Sequence, residues 1–410
     1  MINRQRLLER FLRYVKVDTT AVENAGKYPS SDGQLELGKV LVDELLAMGV
    51  SDADQNEFGI VVGSLPANCN AQETIAFNSH VDTSPETTGA NVKPQVIENF
   101  DGADIVLPGD PSKVITAESC EELPLAKGKT IITSDGTTLL GGDDKAGVAI
   151  IMELANTLIE NPDIPRGPLK FLFTCDEEIG KGVDHVDIES LDAVACYTFD
   201  GGGENIIDNE TFSADLASVR ITGINIHPAI AKDKMANAIR GTATFLDQLP
   251  RELSPERTEN REGFLHPYTI EGGVAGVTIN ILLRDFDASK FCEYREILQK
   301  AAETTESKWP AVTVNIEYTK QYRNMAEGLT KEPRAVDYAV AAHKSLGRTP
   351  KLECIRGGTD GSRLTELGLP TPNLSSGQHN IHSPLEWACL DEMASACEIG
   401  VHIVKKWAEV

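Results

Sequence analysis

With 410 residues, an apolar fraction of 41% and a formal charge of −25, the chain is long enough for two globular domains and too acidic to favour nucleic acid or an anionic membrane as a partner. No apolar stretch is long enough to span a bilayer. The eight cysteines are scattered singly without a Cys-x-x-Cys pair, so a reduced, cytoplasmic protein is expected.

Over residues 1–16, Leu7, Leu8, Phe11, Leu12 and Val15 recur at helical spacing with charges between them, which is a helix and not a signal-peptide core. Residues 74–78 read as a short apolar strand and run into His80-Val81-Asp82. Gly142-Asp143-Asp144-Lys145 then opens a helical pattern over 148–159. Strand 169–174 leads into Asp176-Glu177-Glu178, and strand 194–199 into Asp200 and three glycines. This alternation predicts an α/β fold with a doubly wound, mostly parallel sheet, in which ligands collect beyond the carboxyl ends of the strands.

From about Ser213 the rhythm changes to strand 217–222, helix 233–248, two strands around Gly272 and Gly273, helix 288–307 and strand 312–319. That β-α-β-β-α-β order has the size of one ferredoxin-like α+β domain. Helix 333–345, a Gly-rich turn over 356–363, strand 370–374 and a closing helix 390–408 resume the first pattern. The expected organisation is a catalytic domain, 1–212 and 323–410, interrupted by an inserted lid domain, 213–322.

Ionisable residues at strand ends are costly near a core unless something pairs with them, and imidazoles among carboxylates point to divalent metal. His80 and Asp82 are two apart, so in extended chain the carboxylate can orient the imidazole; a turn-capping Asp beside a satisfied histidine is the plainer alternative. Asp143 precedes a helix and could be only its N-cap, or could bridge two ions about 4 Å apart. Glu177 and Glu178 face opposite ways in extended chain, which suits one metal ligand and one base; a solvated acidic loop is the alternative. His379 competes with His382 as a C-terminal ligand.

The motifs NSHVDTSPE, LLGGDDKAG, FTCDEEIGKG, YTFDGGG, NIHP, IRGGTDG and the final Asn-x-His resemble the co-catalytic zinc exopeptidase family that includes glutamate carboxypeptidases and aminoacylases. PQVIENFDGADIVL, residues 94–107, is similar to its tripeptide aminopeptidase branch. The resemblance implies two Zn²⁺ per subunit, with Co²⁺ or Mn²⁺ as substitutes: His80 and Asp200 on one, Glu178 and His382 on the other, Asp143 between them. It gives Asp82 the task of orienting His80 and Glu177 that of general base. It implies substrate contacts for His227, Arg284 and Arg356, although Pro228-Ala229 departs from the expected His-Pro-Gly, and surface ion pairing would equally explain the arginines.

Three carboxylates and one hydroxide would offset the charge of two Zn²⁺, and arginine forks suit a peptide's free carboxylate. The activity expected is release of the N-terminal residue from short peptides, most of all tripeptides. The alternatives are another amide hydrolase of the same family (aminoacylase, dipeptidase or carboxypeptidase) or a silent binding protein on the same scaffold. A glycosidase would leave His80 and His382 unexplained.

Overall fold

The structure, a computed structural model, describes residues 2–409. The chain divides into two compact units: a larger one formed by the residues up to Asn209, Met325–Cys354 and those from Thr359 on, and a smaller one formed by Glu210–Asn324 with Ile355–Gly358. The smaller unit thus begins three residues before the expected Ser213, and it takes in a four-residue piece from beyond the second expected boundary.

The larger unit is built on a mixed sheet. Its strands include β1 (Val61–Leu65), β2 (Ile75–His80), β3 (Ile131–Thr133), β4 (Leu169–Thr174), β5 (Ala195–Gly202), β6 (Asn373–His379) and β7 (Trp387–Cys389), in the order β1-β4-β2-β5-β6-β7-β3. The central four, β4, β2, β5 and β6, are mutually parallel, and β1, β7 and β3 join antiparallel at the flanks. Successive residues of one strand enter different cores. Phe77, Phe171, Phe173, Tyr197 and Phe199 point to one face, and Ala76, Leu172 and Cys196 to the other. Cover on both faces is why these strands read as unbroken apolar runs.

Helices α1 (Gly142–Glu160) and α2 (Leu390–Ala408) lie on the face of the larger core, and α1 is buried from Gly142 to Ala155 without interruption. Gly147 permits its close approach to β5, since a β-carbon there would sit 2.0 Å from the Phe199 carbonyl oxygen. Several elements differ from expectation at their ends. β6 starts at Asn373 and runs through His379, later than the expected 370–374, because Pro370 and Pro372 cannot donate to a ladder. The expected turn at 356–363 holds a helix, Asp360–Glu366, opened by a capping box between Thr359 and Ser362. Among the described residues, no helix is long and apolar enough to cross a membrane.

The smaller unit has four antiparallel strands in the order Phe264–Gly273, Gly276–Asp285, Ser213–Thr222, Thr313–Tyr322, with helices Ala238–Asp247 and Lys290–Lys308 packed over Val219, Ile221, Ile279, Ile281 and Leu283. Strand order and connections are those of a ferredoxin-like unit. The first helix starts at Ala238 instead of 233 because the Asn237 side chain accepts from the Ile239 N–H, and Ala236 is still bridged to Ile224.

Candidate metal centre

Every ionisable side chain singled out in the larger unit lies at the carboxyl end of the parallel strands or at the start of α1. His80 ends β2, Glu177 and Glu178 follow β4, Asp200 stands two residues before the end of β5, and His382 follows β6. β5 continues through Asp200 to Gly202, so this aspartate does not end its strand as expected. Glu177 and Glu178 are not in extended chain either. Asp176 takes a left-handed φ of 62°, the chain turns into a short 3₁₀ helix, and the two carboxylates diverge from that turn.

Two trios of donors result. One ligand atom each from His80, Asp143 and Asp200 lies within 4.8 Å of the others, and so does one each from Asp143, Glu178 and His382. Asp143 is common to both: its Oδ1 is 3.1 Å from His80 Nε2 and its Oδ2 is 3.2 Å from His382 Nε2. Asp200 Oδ1 stands 3.7 Å from His80 Nε2, and Glu178 Oε2 2.9 Å from His382 Nε2. Glu177 belongs to neither trio, and its Oε2 is 4.0 Å from His80 Nε2. His379 faces elsewhere, with Nε2 on Glu392, which leaves His382 as the histidine of the second trio.

Asp82 does more than orient a histidine. His80 Nδ1 faces the Asp82 carbonyl oxygen at 3.2 Å and its carboxylate Oδ1 at 3.4 Å. The two carboxylate oxygens also accept the backbone N–H groups of Glu177 at 3.1 Å and Glu178 at 3.0 Å. One buried carboxylate therefore fixes the imidazole of one trio and the turn that supplies the other.

Sequence reasoning missed three supports. Asp144, not Asp143, caps the helix, accepting from the Gly147 N–H at 3.2 Å and from Ser79 Oγ at 2.5 Å; this leaves Asp143 free to face both histidines. Glu386 accepts from the backbone N–H groups of Leu140, Gly141 and Asp143 at 2.7, 2.8 and 3.0 Å. Asp360 accepts from Thr174 Oγ1 at 2.5 Å behind the site. Adjacency to the DD pair could have flagged Asp144. Glu386 and Asp360 carry no local signal, because their partners are distant in sequence.

The charges fit cations. Burial raises the Asp200 carboxyl to about 6 and the Glu178 carboxyl to about 8, with repulsion from Asp143 adding in each case. Burial likewise lifts Glu177 well above the usual carboxylate range. For His382, burial works downward but hydrogen bonds to Asp143 and Glu178 prevail and raise it to about 11. Asp143, which despite its burial is held below the usual carboxylate range by His382 and His80, is the exception among carboxylates that otherwise resist ionisation, and Glu178 Oε1 is buried without a hydrogen-bond partner. Two divalent cations, sharing Asp143, would relieve both conditions.

The remaining predicted residues belong to the smaller unit. His227 is exposed before a one-turn helix, its Nδ1 accepting from the Ala229 N–H. Arg284 lies on the half-buried face of strand Gly276–Asp285, with its Nε buried and lacking a hydrogen-bond partner. Arg356 Nη2 donates to Thr258 Oγ1 and to the Glu262 carbonyl oxygen, and its guanidinium lies over Phe212 and Phe264.

Residues 135–406 match the sequence profile of Peptidase family M20/M25/M40. Peptidase T of Bacillus mycoides is 43% identical over 99% of both chains, and Peptidase T of Geobacillus kaustophilus is 42% identical over 98% of both. The crystal structure of aminopeptidase PepT from Bacillus cereus superposes with a TM-score of 0.76 at 26% identity, covering 99% of each chain. A dinuclear metal-binding peptidase of the M20 family from Bacillus subtilis shares the fold at a TM-score of 0.66 and 14% identity, over 99% of this chain and 98% of the other. The chain therefore belongs to the peptidase family M20/M25/M40.

Proposed function

We propose that this peptidase is a cytoplasmic tripeptide aminopeptidase that hydrolyses the N-terminal peptide bond of short peptides at a pair of zinc ions. The observation that carries the reading is Asp143, which presents one oxygen to each of two donor trios, with Glu177 beside them and outside both. The tripeptide assignment is supported by relatives named peptidase T that are 42–43% identical along nearly their whole length.

His80, Asp200 and Asp143 would hold one ion, and Glu178, His382 and Asp143 the other. Bound there, the metals would supply Lewis acidity toward the scissile carbonyl and lower the pKa of water. Glu177 takes a proton from the attacking water at its carboxylate and returns it to the departing amine nitrogen. Its upward shift, caused by burial, suits a group that must hold that proton between the two events. Asp82 keeps His80 oriented and the Glu177 backbone fixed throughout. Substrate roles for His227, Arg284 and Arg356 rest on motif resemblance; Arg284, with an unpaired buried Nε, is the better placed to take a carboxylate, and Arg356 is already engaged.

The test is to incubate zinc-loaded protein with a free tripeptide, its N-acetyl form, and the matching dipeptide and tetrapeptide, and to identify products by mass. Loss of the N-terminal residue from the free tripeptide, with the blocked peptide untouched, is the expected result. Cleavage of the blocked peptide, or release of the C-terminal residue, would transfer the assignment to an aminoacylase or carboxypeptidase on the same metal centre.

A further inference from the structure

A second set of ligating side chains lies outside the dinuclear centre. Residues 98–130 fold over their own small core, which includes Phe100, Leu107, Leu123 and Trp387, and Cys120 is buried within it at 4% exposure. Cys120 Sγ is 3.2 Å from Glu122 Oε2. His379, at the end of β6, completes a trio in which one sulfur, one carboxylate oxygen and one ring nitrogen all lie within 4.8 Å of one another. Tetrahedral zinc with bonds of about 2.0–2.3 Å needs donors roughly 3.3–3.8 Å apart, so donors already within 4.8 Å of one another have to close by no more than about 1.5 Å.

The surroundings are arranged as around a ligand histidine. His379 Nε2 is 2.8 Å from Glu392 Oε2, which leaves Nδ1 for a metal, and the ring stacks on Trp387 at 3.8 Å and 6°. A carboxylate behind the imidazole fixes its tautomer and strengthens it as a donor. Glu392 is itself paired to Lys129 Nζ at 2.8 Å, so those two charges offset each other, and the Cys120 thiolate and the Glu122 carboxylate remain to balance a divalent ion. Burial raises the Cys120 thiol's pKa, Glu122 adds to that rise and the Trp387 N–H works against it, so in the absence of metal the sulfur keeps its proton on Glu122.

We propose that Cys120, Glu122 and His379 form a third metal site of the zinc class, which ties the 98–130 segment to the strand leading to His382. On binding, the Cys120 S–H bond breaks, a sulfur–metal bond forms and the proton goes to solvent. Sulfur, nitrogen and oxygen together select a borderline ion such as Zn²⁺ over Mg²⁺ or Ca²⁺.

The centre at Asp143 contains no sulfur donor, so cobalt distinguishes the sites. Titrating the metal-free full chain with Co²⁺ should fill three sites per chain, one of them with sulfur-to-cobalt charge-transfer absorption in the near ultraviolet. Cys120→Ser should abolish that band and reduce the stoichiometry to two. Glu122→Gln, at an exposed position where folding is not at stake, should weaken the band-forming site by about tenfold or more. Absence of the band at saturating Co²⁺, its survival in Cys120→Ser, or unchanged affinity in Glu122→Gln would each overturn the proposal.

Discussion

Glu386 offers the sharpest test of how the centre is held. Its Oε2 accepts the N–H groups of Leu140 and Gly141 and its Oε1 that of Asp143, all buried. In Glu386→Gln the remaining oxygen can keep the first two bonds, but the amide nitrogen then faces the Asp143 N–H, donor against donor. One unsatisfied buried N–H costs about 1–3 kcal/mol. Glu386→Ala orphans all three, a sum of about 3–9 kcal/mol. Removal of the buried charge returns part of it, since burial raises this carboxyl to about 7, so the lower half of that range is expected. At about 2 °C per kcal/mol for a unit of this size, metal-free Gln and Ala variants should melt about 2–6 °C and 6–12 °C below the parent in scanning calorimetry. Because Asp143 serves both trios, affinity for both metals should fall together, by about 10–100-fold, in isothermal titration. A Gln variant with parental melting temperature would refute the hydrogen-bond argument. An Ala variant that melts lower yet binds both metals as tightly as the parent would refute the positioning argument.

Glu177→Gln should retain both metals by elemental analysis while kcat falls by about 10²–10⁴-fold, and unchanged turnover would remove Glu177 from the mechanism. Asp208, paired with Asn373 at 3.2 Å, has its carboxyl raised from 3.8 to about 7 by burial, with Glu353 adding to the effect. Because the folded state resists its ionisation, stability should fall as pH rises from about 4 to about 7 and then level off, by at most about 4 kcal/mol. Asp208→Asn should therefore melt above the parent near pH 8 and level with it near pH 4; a constant difference across that range would contradict the assignment. Graded chelator treatment should remove one metal before the other, with the ion at Glu178 and His382 leaving first, as read by residual metal content and by nuclear relaxation of the two histidines. Loss of both in a single step, or of the His80 ion first, would count against unequal burial as the cause.

The apolar runs over β2, β4 and β5 were legible because a sheet covered on both faces leaves no polar interruption, and residues 169–174 and 390–408 match their elements end for end. That these clusters call for a cation was legible for a related reason, since carboxylates and imidazoles next to buried strands are costly to keep there unless a cation pairs with them; their grouping into two sets came from the family resemblance alone. What failed was local geometry. The cap at α1 moved by one residue to Asp144, and the Glu177–Glu178 divergence comes from a turn after a left-handed Asp176 and not from strand alternation. Propensity does not distinguish the first from the second aspartate of a pair, because the choice depends on Ser79, across the chain at 2.5 Å. Glu386 and Asp360 were invisible for the same reason, and so was the meeting of Cys120 with His379.

The sheet order explains why the two trios are built differently. β2 and β5 are adjacent, so His80 and Asp200 converge directly from neighbouring strands about 4.8 Å apart. β4 and β6 lie outside that pair, three strand spacings or about 14 Å from each other, so their side chains meet only if the chain turns inward beyond each strand. It does so on both sides through left-handed residues, Asp176 at a φ of 62° after β4, Asn380 at 50° and His382 at 60° after β6. Asp143, delivered from the start of α1, then closes the gap between the strand-borne trio and the loop-borne one. The inner trio is sealed by its own strands, with the His80 side chain 1% exposed, while His382 is 32% exposed at the end of a loop. An ion held from strands loses ligands only if the sheet opens, whereas one held from turns can lose them by local motion, which costs far less. On the proposed ligand sets, the more exchangeable ion of the pair would accordingly be the one held by Glu178 and His382.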